Sequence, residues 1–258
     1  VTADLSNRVV VIGGGAGDVG EGLTCAFLKA GASVYVPSRS PEKLDELRVA
    51  MGATGDLTTC RLARFDDREL GRCRDQILDR HGRIDAVVAS LGGWWGGKTL
   101  VDTDAATWSR LIDAGLLSHA TMARVFLPAL AAGGTYTLLN GTAALAPVPG
   151  SAAVSVLAAA QTMLARALIA EVDGAGVRVN QLLITSVVAT RARRHTESEW
   201  ITAEEVGEVA AWIASPAGAM VAGSIMPLGP RPRRHDREAR STGTAEARTP
   251  GLQRGVSA

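Results

Sequence analysis

Val9-Val10-Val11-Ile12-Gly13-Gly14-Gly15-Ala16-Gly17-Asp18-Val19-Gly20-Glu21-Gly22 runs from four β-branched residues straight into a glycine-rich turn, and its reading decides the fold. The apolar run predicts a buried strand and the glycines a tight turn. Leu23, Ala26, Phe27 and Ala30 then recur at helical spacing before Gly31 and predict a helix. A second apolar run, Val34-Tyr35-Val36, completes a strand–helix–strand unit. Gly15, Gly17 and Gly20 keep the G-x-G-x-x-G spacing, in which residues without a Cβ let the backbone turn sharply and lie against a pyrophosphate. The helix that follows would aim free N–H groups and its positive dipole end at the same group. The spacing alone is a weak signal, but the strand before it and the helix and strand after it make dinucleotide binding the expectation.

Outward from this unit, strands and helices alternate. Pro41 to Met51 reads as a helix, Cys60 to Phe65 as a third strand, Glu69 to His81 as a helix and Ile84 to Ala89 as a nearly all-apolar strand. Trp108 to Leu130 reads as one long helix, Thr135 to Leu139 as a strand and Val154 to Val172 as an alanine-rich helix. Val177 to Leu183, Ala203 to Ala214 and Ser224 to Leu228 follow as strand, helix and short strand. The alternation predicts an α/β fold, a doubly wound parallel sheet of Rossmann-like type, as a single domain over residues 1–229.

The 258 residues suit one such domain, and the net charge of +1 favours neither nucleic acid nor a membrane surface. Cys25, Cys60 and Cys73 form no C-x-x-C pair, which predicts a reduced, cytoplasmic setting and no disulfide framework. His81, His119, His195 and His235 lack ligand spacing, so no metal site is expected. No secretory leader is expected either, since the first apolar run is short and opens onto the glycine turn. The uncharged span from Val125 to Ala165 is interrupted by Pro128, Asn140, Pro147, Pro149 and Gln161 and reads as core, not as a membrane span. Residues 230–258 hold seven arginines against Asp236, Glu238 and Glu246, with almost nothing apolar. This tail is expected to be disordered and solvated; a basic arm for an acidic partner or nucleic acid is the less favoured reading.

Together these features resemble the short-chain dehydrogenase/reductase family over Asn7 to Gly229. The family's Thr-Gly-x-x-x-Gly-x-Gly turn falls on Gly13 to Gly20, with Gly13 for the threonine and Asp18 for the middle glycine. Gly82-Arg83-Ile84-Asp85 and Val177-Arg178-Val179-Asn180 match the leads into two strands, and Ala89-Ser90-Leu91-Gly92 stands where the family has Asn-Asn-Ala-Gly. The resemblance implies a cofactor site of Gly14, Gly15, Gly17, Asp18, Val19, Gly20, Ser38, Arg39, Leu91 and Gly92. An anionic Asp18 would repel a pyrophosphate unless its side chain points away. At the end of the second strand an acid would hold the ribose 2′-OH of NAD; Pro37-Ser38-Arg39-Ser40 offers a hydroxyl and a guanidinium instead, which suit a 2′-phosphate. NADP(H) is therefore expected over NAD(H), the alternative being that Arg39 is a solvated loop charge.

The catalytic positions depart from the family. Its asparagine, serine, tyrosine and lysine fall on Gly115, Gly141, Val154 and Ala158. Independently of that alignment, the only tyrosines are Tyr35 and Tyr136 and no lysine follows Lys98, so no Tyr-x-x-x-Lys pair can be drawn. A general acid needs a titratable group within reach of the reacting oxygen. The weak substitutes are Lys98, His119 and Thr142; His119 could face the cleft or an interface, and Thr142 reads more simply as a strand-end residue. The segment from Ile184-Thr185 to Glu204-Glu205-Val206, carrying Arg191, Arg193, Arg194 and His195, is short for a substrate lid. Trp94 and Trp95 could line a pocket for a bulky aromatic small molecule, or serve as cover or a partner contact.

Two readings stay open: an atypical NADP(H)-dependent oxidoreductase without the family proton relay, and a catalytically inactive nucleotide-binding or scaffolding subunit. A homo-oligomer, or a hetero-oligomer with an active relative, is expected through the helices Trp108 to Leu130 and Val154 to Val172, where the small Ala158, Ala159 and Ala160 would let helices approach.

Overall fold

The computed structural model describes residues 3–193 and 200–230. Seven parallel strands form one sheet in the order β3-β2-β1-β4-β5-β6-β9, the doubly wound arrangement that strand and helix alternation implies. The chain runs β1 (Val9–Gly13), α1 (Asp18–Lys29), β2 (Ser33–Ser38), α2 (Pro41–Met51), β3 (Asp56–Arg61), α3 (Asp67–His81) and β4 (Ala86–Ala89) through the first half. It continues with α4 (Ala105–Ile112), α5 (Ser118–Phe126), β5 (Thr135–Gly141), α6 (Ala152–Glu171), β6 (Arg178–Ile184), β7 (Val188–Ala189), β8 (Ile201–Thr202), α7 (Ala203–Ala214) and β9 (Ile225–Leu228).

Two apolar clusters lie on the two faces of the sheet. One gathers Val10, Ile12, Phe27, Leu44 and Val206, so α1, α2 and α7 cover that face. The other gathers Val11, Ile77, Phe126, Tyr136 and Ala165, so α3, α5 and α6 cover the opposite one. Alternate residues of β1 therefore serve opposite clusters, and both are sealed from water. At the strand starts, buried Asp85 ties three elements together: its carboxylate accepts from Arg8 Nη1 at 2.8 Å and from the Val9 N–H at 2.9 Å, and its own N–H donates to Val9 O. Arg83 Nε adds a bond at 3.0 Å. Burial pushes the carboxyl up, but Arg83, the Val9 N–H and Arg8 together hold it below the usual carboxylate range.

Several sequence expectations shift. The third strand is Asp56–Arg61, not Cys60 to Phe65, because this is the edge of the sheet and its Thr58 and Thr59 are only half-buried. Apolar content points to the wrong end of it. The long helix expected over Trp108 to Leu130 is broken into α4, a π-helical turn at Asp113–Leu117, α5 and a 3₁₀ turn at Leu127–Ala129. The short β7–β8 pair was not expected. Ala158 is buried inside its own domain, leaving Ala159 as an exposed neighbour, so the alanine triplet is not one outward-facing stripe. By length and composition α6 could cross a membrane, but Ala153, Leu157, Ala158, Gln161 and Ala165 bury its inner face. The tail of residues 230–258 lies outside the described residues apart from Pro230, as do Arg194 and His195.

Candidate functional site

The C-terminal ends of the parallel strands gather the sequence-marked residues on one rim, the place where such sheets bind ligands. At the end of β1 the backbone turns at Gly14, with φ of +78°, and a Cβ there would collide with the carbonyl oxygen of Ser90. Gly17 N–H donates to Gly14 O at 2.9 Å and Thr24 Oγ1 to Gly15 O at 3.1 Å, which fixes the turn against α1. A side chain at Gly20 would strike the Gly14 carbonyl, so Gly20 lets helix and turn close up.

The start of α1, like those of α5 and α6, has no side-chain cap, unlike four other helices of the fold. Ser40, Asp66, Asp104 and Thr202 cap α2, α3, α4 and α7 with their side chains, and Thr202 with Glu205 forms a capping box. The α1 N-cap is Gly17, which offers no side chain and leaves first-turn N–H groups for an outside acceptor. Asp18 and Glu21 stand in that first turn, Asp18 exposed. Ser38, at the end of β2, accepts from the Ser40 N–H at 3.2 Å, and the adjacent Arg39 is exposed on the corner leading into α2. These residues fit a dinucleotide: a side-chain-free turn, uncapped N–H groups and a guanidinium next to a hydroxyl.

The opposite wall is the loop after β4. Leu91 lies over the glycine turn, its Cδ2 3.5 Å from the place a Cβ of Gly13 or Gly14 would take. Gly92 has φ of +91°, and a side chain there would press on Gly115. The loop then folds onto the start of α6, where Gly97 N–H donates to Gly150 O at 2.8 Å and Gly96 packs against Ser151 Oγ. Trp94 is 65% exposed on this loop and Trp95 half-buried.

The substitutes for a proton donor do not assemble. Lys98 is exposed and paired with Asp104 at 3.4 Å, at the start of α4. His119 is wholly buried, with Nε2 3.2 Å from Leu91 O and no partner for Nδ1 among the described residues, so it faces neither an open cleft nor an interface. Burial lowers its pKa to about 4 against the opposing effect of the Leu91 bond, and the ring is neutral near pH 7. Thr142 is an exposed residue opening the 3₁₀ turn after β5. Arg191, on the short lid segment, instead reaches back to Glu21 at 3.1 Å and Glu46 at 3.6 Å.

The four positions at which the resemblance would place the family's asparagine, serine, tyrosine and lysine, Gly115, Gly141, Val154 and Ala158, lie around a network of amides. Gly115 sits in the π-helical turn, and its carbonyl accepts from Gln161 Nε2 at 2.7 Å. Asn140, at the end of β5, donates from Nδ2 to Ala158 O at 2.7 Å and to Thr162 Oγ1 at 3.0 Å, while its Oδ1 accepts from the Gly141 N–H at 2.8 Å. Val154 lies one turn before Ala158 on α6, half-buried. Gln161 and Asn140 are the site residues that sequence reading missed. Both break the uncharged Val125 to Ala165 span, which was the available signal.

A family profile described as enoyl-(acyl carrier protein) reductase matches residues 14–228. The chain is similar to cis-4-hydroxycyclohexanecarboxylate dehydrogenase of Sinomonas cyclohexanicum, 26% identical over 86% of this chain and 95% of that protein. It is 32% identical to 3-phenylpropionate-dihydrodiol/cinnamic acid-dihydrodiol dehydrogenase of Escherichia coli O157:H7, over 69% of this chain and 67% of the relative. Dehydrogenase/reductase SDR family member 4 of Homo sapiens is 25% identical over 69% of this chain, a match that spans 65% of the human protein. Among solved structures, a short-chain dehydrogenase/reductase from Brucella melitensis superposes with a TM-score of 0.77 at 22% identity, covering 88% of this chain and 97% of that one. One from Mycobacterium ulcerans gives 0.79 at 21% identity, over 87% and 89%. These two establish the shared fold. With the profile covering most of the chain and the sheet order, glycine turn and rim in agreement, the chain belongs to the short-chain dehydrogenase/reductase family of NAD(P)(H)-binding oxidoreductases.

Proposed function

We propose that the chain binds NADP(H) in the glycine turn and works without a proton relay of its own, as a nucleotide-binding member of the family that does not reduce ordinary ketones. What supports this most is the amide network: Gln161 is committed to the Gly115 carbonyl and Asn140 to the Ala158 carbonyl, and neither amide titrates. Bound NADP(H) would supply hydride; the chain's own residues hold and orient the nucleotide. Ser38 and Arg39 receive the 2′-phosphate and the uncapped start of α1 the pyrophosphate.

Titration with NADPH and NADH tests the binding half. NADPH is expected to saturate at lower concentration, and Arg39→Ala to weaken it about tenfold while leaving NADH unchanged, as the loss of a charge-assisted bond implies. Equal affinities untouched by Arg39→Ala would remove the NADP(H) assignment. A panel of ketones and aldehydes tests the other half; steady NADPH oxidation with any of them would overturn the claim that the relay is missing.

A second reading has its own support in the exposed Trp94 beside the start of α6 and in relatives named for ring-bearing substrates. It is an oxidoreductase for a bulky aromatic compound, with the proton taken from water or substrate. Turnover unaffected by Lys98→Ala is then expected, since Lys98 is held by Asp104. We further propose that copies of the chain, or this chain and an active relative, pair through the outer faces of α5 and α6.

A further inference from the structure

Away from the nucleotide rim, at the β3 edge of the sheet, two cysteines from different elements meet. Cys73 belongs to the buried stripe of α3, with Leu70 and Ile77 at helical spacing. Cys60 lies on β3, half-buried, and packs against the same apolar cluster. The two thiols line one cavity and belong to one cluster, close enough that each shifts the other's titration, Cys60 down and Cys73 up. Both line an open cavity of about 400 Å³ whose other walls include Arg61, Arg72 and Arg80. A cationic, solvent-reached pocket with an accessible thiol in front and a buried one behind is the surrounding that makes cysteine oxidation selective. The neighbouring Cys73 thiol also holds Cys60 below its ordinary range against the opposing effect of burial. Cys25 is half-buried on α1 against the other apolar cluster, so the sheet separates it from this pair.

We propose that Cys60 and Cys73 form a reversible dithiol–disulfide couple, a modification site for hydrogen peroxide that stands independently of nucleotide binding. The Cys60 thiolate attacks one peroxide oxygen; the O–O bond breaks, Cys60 becomes the sulfenic acid and the other oxygen leaves as water. The Cys73 sulfur then attacks Cys60; the S–S bond forms, the S–O bond breaks and a second water leaves. Two thiols lose two electrons and two protons in all, and the peroxide takes up both. Cys60 is registered against Pro37, one residue before Ser38, so the crosslink forms beside the strand that carries the phosphate-reading corner.

The test is peroxide treatment of the full chain, alkylation, tryptic digestion and mass spectrometry. Arg61, Arg64, Arg68 and Arg72 place the two cysteines in separate peptides, so a crosslink is unambiguous. The expected result is one Cys60–Cys73 crosslinked peptide, loss of two of the three thiols, their recovery with dithiothreitol, and Cys25 still alkylated. Cys73→Ser should stop the reaction at a Cys60 sulfenic acid that dimedone traps; should that variant fail to fold, the wild-type peptide map decides alone. Three thiols left intact, a crosslink between chains, or Cys60 driven to sulfinic acid with Cys73 still alkylated would each overturn the proposal.

Discussion

His119 is buried in the neutral form, and that has a definite sign in pH. Its pKa in the fold is about 4, against 6.5 for the free side chain, because burial disfavours the imidazolium. Between those values the unfolded chain binds the extra proton, so the contribution is full above pH 6.5 and is lost as pH falls toward 4. The loss is on the order of 3 kcal/mol. Urea midpoints measured across that window should fall in the wild type and stay flatter in His119→Phe; parallel curves would mean that other groups carry the acid sensitivity. Tyr136 shows the opposite case, a hydroxyl buried in the core with no partner among the described residues. Tyr136→Phe removes a desolvated polar group and is expected to be neutral or to raise stability by up to about 1 kcal/mol in the same assay. Asp18 is exposed in the first turn of α1, where it favours the helix dipole but adds negative charge beside the place proposed for the pyrophosphate. Asp18→Gly should tighten NADPH severalfold, the effect of roughly 1 kcal/mol for a solvated charge at contact range, with weaker gain at high salt.

The elements explain how far sequence reading reaches. The strand, glycine turn and helix from Val9 onward were legible because three independent requirements coincide there: apolar burial, backbone space and helical periodicity. α7 was legible to the residue, since Thr202 and Glu205 cap its start. β3 was displaced because an edge strand is only half-buried and so carries no clean apolar signature. The π-helical turn was invisible because a five-residue widening barely alters apolar spacing over a long helix; its trace is Ser118 Oγ donating to Asp113 O at 2.7 Å. Gln161 carries no mark in the sequence for a chemical reason: an amide does not titrate, so its residue type alone does not point to a site. Yet this residue joins α6 to the turn at Gly115, and Gln161→Leu removes that buried hydrogen bond. That substitution should cost about 1–3 kcal/mol in denaturant unfolding, whereas Gln161→Glu would in addition set a carboxylate against the carbonyl. No change in Gln161→Leu would mean that water replaces the amide at no cost.

For the molecule as a whole, the burial of α6 is uneven in a way the single chain does not resolve. Its inner face packs onto the sheet, but only 39% of its most apolar window is buried, and its mean hydropathy there is 1.6. Val156 and Met163, seven residues apart and so on one face, are 50% and 61% exposed, and Leu117 of the π-helical turn is 51% exposed. A helix whose polar face is missing buries its second side against another surface, and self-pairing about a two-fold axis is the simplest closed solution. Sedimentation velocity at micromolar concentration should therefore give a species of at least two chains. Met163→Glu places a charge in that contact and should shift the population to monomer without altering the far-ultraviolet spectrum or NADPH affinity, since Met163 lies on the exposed side of α6 while the nucleotide rim is built at the strand ends. A wild-type chain that is monomeric under these conditions would return α6 to the status of an apolar face that needs a different chain, the active relative of the hetero-oligomer reading, and mixing experiments would then replace self-association as the test.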